Sequence, residues 1–249
     1  MNIAGVGVLT GWGCGVPAMP EYALAAAGGR YVIPIPRPER SGDRFRRAIR
    51  ECLLGIAAVE DLLLGLGIPP STLSGPGTAL LYATASAYGA PNRSFIEAGG
   101  TLHFPYTAPS AVPAEVAIEY GLCGAYLNFI GGAATTLDAL WYAGNLLECG
   151  ECNQALVLAV ETFEECADLY RRARWLAKGP LVEAAACALL MPGGERWVCG
   201  EAPVGGNVAR RRAGETFACE PLIALALDPA GGDALAGSWR GRRAGLRRI

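Results

Sequence analysis

The chain has 249 residues, a formal net charge of −2 and a hydrophobic share of 52%. This apolar content excludes an intrinsically disordered chain, and the near-neutral charge argues against a simple basic nucleic-acid binder. The single histidine, His103, cannot by itself supply a His-rich metal site or a pair of catalytic imidazoles, so we expect no metal and no cofactor.

Several features predict a cytoplasmic protein. The longest apolar runs, residues 53–66 and 181–191, are shorter than the roughly 20 residues that a membrane-spanning helix needs. The amino terminus lacks the basic region of a signal peptide. The nine cysteines are an odd number and are spread through apolar stretches, which favours reduced thiols over disulfides.

Strands and helices alternate along the chain. Residues 2–10 form an apolar strand, and apolar residues recur at helical spacing over 43–66 until Gly67 and Pro69 end that helix. The later predicted elements are strands at about 77–84, 126–130, 154–160 and 184–191, and helices at 110–120 and 133–149. This alternation predicts an α/β fold with a five-stranded mixed, mainly parallel sheet between helices.

The helix at 133–149 is apolar on nearly all sides, with Asp138 and Asn145 as its main polar residues. Such a helix is buried on more than one side, so it needs a second covering layer from a partner or from the end of this chain. From about residue 196 the sequence becomes richer in arginine, with Arg210–Arg212 and an Arg-rich end. We therefore predict a first domain over 1–195 and an extension over 196–249 that packs on or near it, with its Arg-rich end as a solvated tail.

Four segments occur together in an informative order: residues 3–10 (IAGVGVLT), 109–124 (PSAVPAEVAIEYGLCG), 155–161 (ALVLAVE) and 182–191 (VEAAACALLM). Their order and spacing resemble the first half of the β-ketoacyl-acyl-carrier-protein synthases, which are condensing enzymes of the thiolase fold. The resemblance spans about residues 1–192 and implies a thiolase-like half-fold. It also places Glu161 and Glu183 at positions of structural carboxylates.

By this resemblance, counting back from Asp138 places Ala133 where a ketosynthase carries its catalytic cysteine. A methyl group can neither ionise nor accept an acyl chain, and Thr135 and Thr136 have no visible base to activate them. The resemblance also implies two further catalytic residues from a second half that this chain lacks. We expect no condensation by the chain alone. The candidate residues for a remaining pocket are Thr135, Thr136, Leu137 and His103.

The resemblance further implies an interface. In the thiolase fold, the strand before the nucleophile helix pairs across a two-fold axis, and here that strand has an unprotected edge. The predicted interface residues are Tyr126, Leu127, Asn128, Phe129 and Ile130. The chain resembles the chain-length factors, which have lost the cysteine and pair with an active ketosynthase, although the best-known members have glutamine at the position of Ala133.

These features predict an accessory, chain-length-factor-like subunit in bacterial fatty-acid or polyketide biosynthesis, of the type found beside aryl-polyene and related type II pathways. Its expected partners are an active ketosynthase, a second copy of the chain, or both. An acyl carrier protein is a further candidate, because the Arg-rich end suits an acidic partner. The alternative function is a stand-alone protein that binds acyl chains or acyl carrier protein.

Two other classes of protein are less consistent with the sequence. Gly5 and Gly7 lie in the first strand and Gly11 follows it, but their spacing differs from a dinucleotide-binding loop and no acidic residue closes a second strand about 20 residues later. Cys149 and Cys152 form a single C-x-x-C pair, which lacks the two further ligands of a zinc site.

Overall fold

The structure is a computed structural model that describes residues 1–99, 101–173, 175, 177–194, 196–200, 207–228 and 234–249, without the side chains of residues 101–103. The predicted domain boundary at 195 falls on a residue outside this set. The strands are β1 (Asn2–Thr10), β2 (Gly13–Cys14), β3 (Val32–Ile33), β4 (Thr78–Thr84), β5 (Tyr126–Ile130), β6 (Gln154–Glu161), β7 (Leu181–Val182), β8 (Ala184–Met191), β9 (Trp197–Gly200), β10 (Ala234–Trp239) and β11 (Arg242–Arg248). The helices are α1 (Ala23–Ala26), α2 (Arg50–Leu66), α3 (Gly89–Ala98), α4 (Ala111–Tyr120), α5 (Ala133–Glu148), α6 (Ala167–Arg172), α7 (Val208–Ala213) and α8 (Glu220–Leu227).

The central sheet has the strand order β2-β1-β8-β6-β4-β5. β4 is parallel to both β5 and β6, whereas β8 is antiparallel to both β6 and β1. Four of the five long strands therefore run in one direction and β8 runs in the other. This arrangement confirms the predicted five-stranded mixed sheet, and the sixth strand is the two-residue β2.

Two hydrophobic cores cover the two faces of the sheet. On one face α2 and α4 pack against it, and on the other face α5 and α8 do so. A Cβ atom at Gly7 would lie 2.4 Å from the carbonyl oxygen of Ala58 and from the amide nitrogen of Leu62. Glycine at this position thus lets α2 lie directly on β1. The close packing of α2 explains Gly5 and Gly7, and close approach of the carbonyl oxygen of Ile33 explains Gly11, without a phosphate-binding role.

The prediction of one helix over 43–66 is wrong at its amino-terminal end. Residues 43–46 form a 3-10 turn, and α2 begins only at Arg50. The guanidinium of Arg37 donates to the carbonyl oxygens of Phe45, at 3.3 Å, and Ala48, at 2.7 Å. Arg37 thus donates to carbonyl groups that a continuous helix over these residues would pair with its own amides. Residues 89–98, for which no helix is predicted, form α3.

The strands β9, β10 and β11 cover α5. β10, β11 and β9 form a three-stranded antiparallel sheet in that order, and its inner side buries Leu235, Leu246 and Trp197 against the core around α5. The chain's own extension therefore supplies a second covering layer for this helix.

The expectation of a solvated Arg-rich tail is wrong. The arginines at positions 242, 243, 247 and 248 belong to β11. Arg243 and Arg247 lie on its outer face, whereas Arg242 and Arg248 share the inner face with Ala244 and Leu246. Arg242 makes a bidentate ion pair with Asp138, with N–O distances of 2.6 and 2.8 Å, and the guanidinium of Arg248 lies 5.1 Å from the ring centre of Trp197.

Candidate functional site at the start of helix α5

The position that the resemblance assigns to the nucleophile is the first residue of α5. Ala133 follows the turn Gly131–Gly132, and the amide of Gly131 donates to the carbonyl oxygen of Thr84 at 2.9 Å. Ala133 is only 1% exposed. Its methyl group therefore lies at a helix amino terminus, where a thiolate would be favoured, but it is buried and cannot ionise.

The strand β10 fills one side of this position. A Cβ atom at Gly237 would lie 2.6 Å from the carbonyl carbon and oxygen of Ala133. A Cβ atom at Gly132 would lie 2.4 Å from the indole ring of Trp239. These distances show that the backbone of β10 and the ring of Trp239 pack directly on the start of α5. They fill the space that a larger residue or a bound group would need there.

Trp239 belongs to an aromatic cluster over the same helix end. The ring centres of Trp239 and Phe217 are 4.6 Å apart, and those of Phe217 and Phe163 are 4.9 Å apart, both edge-to-face. Phe217 has a φ of 46°, a left-handed conformation that is uncommon for a non-glycine residue. Surrounding contacts must hold it there, because such a conformation costs about 1–3 kcal/mol.

Two buried side chains hold the backbone next to Phe217. The hydroxyl of Thr136 donates to the carbonyl oxygen of Ala218 at 2.7 Å, and the amide of Ala218 donates to the carboxylate of Glu161 at 3.1 Å. Both polar groups of the Ala218 backbone are thus fixed by side chains, one from α5 and one from β6. This pair of hydrogen bonds fixes the aromatic cluster over the start of α5.

Glu161 joins three segments of the fold. Its carboxylate accepts hydrogen bonds from the amides of Ala85 (2.7 Å), Ser86 (2.9 Å) and Ala218, and from the hydroxyl of Ser86. The residue is fully buried, and this burial raises the pKa of its carboxyl group to about 7 although the hydrogen bonds oppose the shift. These contacts give Glu161 a structural role in holding the loop after β4 against the end of β6.

Glu183 anchors a second buried network. It accepts hydrogen bonds from the amides of Ile35 and Phe163, both at 2.8 Å, and pairs with Arg50 at N–O distances of 2.5 and 3.0 Å. Burial disfavours the ionised form, but the hydrogen bonds and charge of Arg50 outweigh it and hold the pKa of Glu183 below its ordinary value. Like Glu161, this carboxylate ties segments together.

The other residues of the predicted pocket have different environments. Thr136 and Leu137 are buried by packing, and Thr135 is half-buried beside Gly131. The side chain of His103 lies outside the described part of the structure. Because the side chain of His103 is not described, a pocket formed by all four residues remains a prediction.

The predicted interface strand, β5, lies at the edge of the central sheet. Tyr126 is 40% exposed and Ile130 is 51% exposed, and on the adjacent helix α5 Trp141 and Tyr142 are each 39% exposed. The rings of Phe129 and Tyr142 make an edge-to-face contact at 6.3 Å that connects the strand to the helix. We call Tyr126, Ile130, Trp141 and Tyr142 the β5 edge surface.

The cysteine pair does not form a recognisable centre. Cys149 is exposed, Cys152 is buried, and all nine cysteines are free thiols. Within the described ranges, no three His, Cys, Asp or Glu side chains come close enough to hold a metal ion. In the same part of the chain, no helix has both the length and the hydrophobicity needed to cross a membrane.

Sequence reasoning singled out Ala133 and β5, which remain predictions as site residues, and did not anticipate Phe217 and Trp239. Trp239 stands in a segment whose arginines suggest a solvated tail, and Phe217 has no local motif. The apolar residues Leu235, Trp239 and Leu246 among the arginines are a signal that could have indicated packing.

Comparison with known proteins agrees with this geometry. Residues 40–190 match the family model of the β-ketoacyl synthase N-terminal domain. No curated protein matches the sequence. Among solved structures, the ishigamide ketosynthase/chain length factor is similar with a TM-score of 0.71 at 16% identity, covering 100% of this chain and 99% of that one.

Two further structures are similar over almost their whole chains. The complex AntDE:AntF, a type II polyketide synthase acyl-carrier protein with its ketosynthase bound to the hexaketide, has a TM-score of 0.76 at 14% identity over 99% of this chain and 98% of that one. The ketosynthase ApeO with its chain length factor ApeC from Xenorhabdus doucetiae has a TM-score of 0.60 at 13% identity over 100% of both chains.

At these identities the structural matches establish the fold, and the family model covers more than half of the chain. The sheet order, the helix that begins at Ala133 and the family match agree with one another. The chain belongs to the β-ketoacyl synthase N-terminal domain family.

Proposed function

We propose that this chain is a catalytically silent, chain-length-factor-like accessory subunit of bacterial fatty-acid or polyketide biosynthesis that acts by pairing with an active ketosynthase. The observation that carries the proposal is the β5 edge surface, an unpaired sheet edge bordered by exposed aromatic and aliphatic side chains. Exposed apolar surface of this kind marks a contact site, and an uncovered strand edge favours association.

The start of α5 supports the silent role. Ala133 offers no thiol, and β10 and Trp239 lie against the backbone around it. The first residue of α5 therefore offers no nucleophile to receive an acyl group. The contribution of the chain to synthesis would then come through the partner that it binds.

An active ketosynthase is the partner that the comparisons favour. Three of the similar structures are described as ketosynthases together with a chain length factor or an acyl carrier protein. A second copy of this chain is the other candidate for the same surface, because related folds present related edges and most oligomers are symmetric.

The test uses the β5 edge surface directly. The chain is co-expressed with a cysteine-bearing ketosynthase encoded near it, and the complex is measured by size-exclusion chromatography with light scattering. Ile130→Asp should disrupt the complex, whereas Leu64→Asp, at an 83% exposed residue of α2, should not. Equal assembly of both variants would exclude β5 as the interface.

The expected loss is large. Burying the remaining half of the Ile130 side chain contributes about 1 kcal/mol, and a carboxylate placed in an apolar interface costs about 2 kcal/mol or more. A total near 3 kcal/mol corresponds to a dissociation constant raised about 100-fold.

A stand-alone binder of acyl carrier protein is a second candidate. Arg243 and Arg247 of β11 are exposed, and within the described residues neither makes an ion pair. They offer positive charge to an acidic protein. A chain of this kind would bind carrier protein without any ketosynthase, which the same chromatography distinguishes.

A further inference from the structure

A cleft of about 600 Å³ opens beside the aromatic cluster. Residues that line it include Trp175, Lys178, Glu215, Phe217, Trp239 and Arg240. It lies between the segment that leads to β7 and the turn between β10 and β11. The cleft ends on Phe217 and Trp239, which separate it from the start of α5.

The cleft carries uncompensated positive charge. Lys178 is the only lysine of the chain, its side chain is exposed, and within the described residues it makes no ion pair. The guanidinium of Arg240 lies 5.6 Å from the ring centre of Trp175, and no carboxylate of the described residues pairs with it.

The carboxylate of Glu215 also lines the cleft, but its ion pair is with Arg210 and not with Lys178 or Arg240. Glu215 is buried, accepts a hydrogen bond from the backbone amide of Lys178 at 3.2 Å and pairs with Arg210 at 3.2 Å. Arg210 pairs in addition with Glu220, at 2.8 Å. One guanidinium thus faces two carboxylates here. Counted with Lys178 and Arg240, the three cations exceed the two carboxylates by one, so the cleft has a net positive charge.

The same cleft offers flat apolar surface. Phe217 and Trp239 stack edge-to-face at its floor, and Trp175 lies at its rim. Aromatic rings of this kind bind flat or conjugated groups by stacking, and cations beside them bind an attached anion. The two features together select a ligand that has both parts.

We propose that this cleft is a binding site for an anionic ligand in which a phosphate or carboxylate group is joined to a flat apolar group. Lys178 and Arg240 bind the anion, and Trp239 and Trp175 contact the flat group. Because Phe217 and Trp239 close the floor, the ligand binds without reaching Ala133. The site does not require a ketosynthase partner, so its test is independent of the proposed function.

Isothermal titration calorimetry with 1-naphthyl phosphate tests the proposal on the full chain. We expect binding to be at least tenfold tighter than that of either 1-naphthol or inorganic phosphate. 1-Naphthoate identifies the preferred anion, because the tighter of the two naphthyl ligands shows whether phosphate or carboxylate is favoured. Failure of both to bind, or equal binding of 1-naphthol or inorganic phosphate, would overturn the proposal.

A matched pair of variants localises the binding. Lys178→Gln with Arg240→Gln should weaken binding of 1-naphthyl phosphate at least tenfold, whereas Arg243→Gln with Arg247→Gln removes the same charge from the outer face of β11 and should change it less than twofold. Equal losses would mean that general positive charge, and not this cleft, binds the ligand. If the first pair does not fold, Lys178→Gln alone should still weaken binding at least threefold, and no change would refute the site.

Discussion

The packing of β10 on the start of α5 predicts that Gly237→Ala destabilises the protein. A methyl group at this position would lie 2.6 Å from the carbonyl carbon and oxygen of Ala133 and 2.9 Å from the amide nitrogen of Ala134. All three atoms belong to the backbone of a buried helix end and cannot rotate away. Either β10 or α5 must shift to accommodate the substitution.

The magnitude follows from what such overpacking costs. Adding a methyl group to a well-packed site destabilises a protein by about 1–3 kcal/mol. For a chain of this size, 1 kcal/mol lowers the midpoint of thermal unfolding by about 2–4 °C. We therefore expect the Tm of Gly237→Ala to fall by about 2–12 °C in thermal unfolding followed by circular dichroism.

Gly200→Ala is the matched control. Gly200 lies in β9 of the same three-stranded sheet, and a Cβ atom there meets no atom within 4 Å. Its Tm should stay within about 2 °C of the wild type, because surface substitutions rarely exceed 0.5 kcal/mol. If Gly237→Ala were as stable as Gly200→Ala, β10 would not lie on α5 and the start of the helix would be open.

Two further predictions concern the buried charges. Arg50→Met should destabilise by about 3–5 kcal/mol in urea unfolding because it leaves the buried carboxylate of Glu183 unpaired. Arg93→Met, which removes exposed ion pairs with Asp168 and Glu97, should have a much smaller effect, and equal losses would refute a buried network. Burial raises the pKa of Glu51 to about 7, so the free energy of unfolding should fall as the pH rises from about 4.5 to 7. Glu51→Gln should therefore be more stable than the wild type at pH 8, by about 3 kcal/mol at most, and similar to it at pH 4.5; a difference that does not vary with pH would contradict the raised pKa.

The elements with local signals could be predicted from the sequence. The alternation of apolar strands and helices gives the five long strands. β4, β6 and β8 are continuous apolar runs because they are buried on both faces of the sheet. The turn Gly131–Gly132 before an apolar helix predicts that Ala133 lies at the start of that helix. The alternating pattern of β5, in which Tyr126 and Ile130 lie on the same side, predicts an edge strand.

The features that the sequence does not reveal depend on distant contacts. Trp239 contacts Gly132, more than 100 positions earlier in the chain, and no local pattern encodes that pairing. The start of α2 is set by Arg37, which binds the carbonyl groups of Phe45 and Ala48. The hairpin of β10 and β11 is rich in arginine, so its composition favours a solvated segment. The pairing of its two strands, which composition does not reveal, gives it a regular structure.

The most direct test of a silent accessory subunit is the intact mass of both chains after the co-purified complex with a cysteine-bearing ketosynthase has reacted with an acyl-carrier-protein thioester. We expect a stable complex in which the acyl adduct appears on the ketosynthase and the mass of this chain is unchanged. An acyl adduct on this chain, or the absence of any complex, would contradict the proposed role.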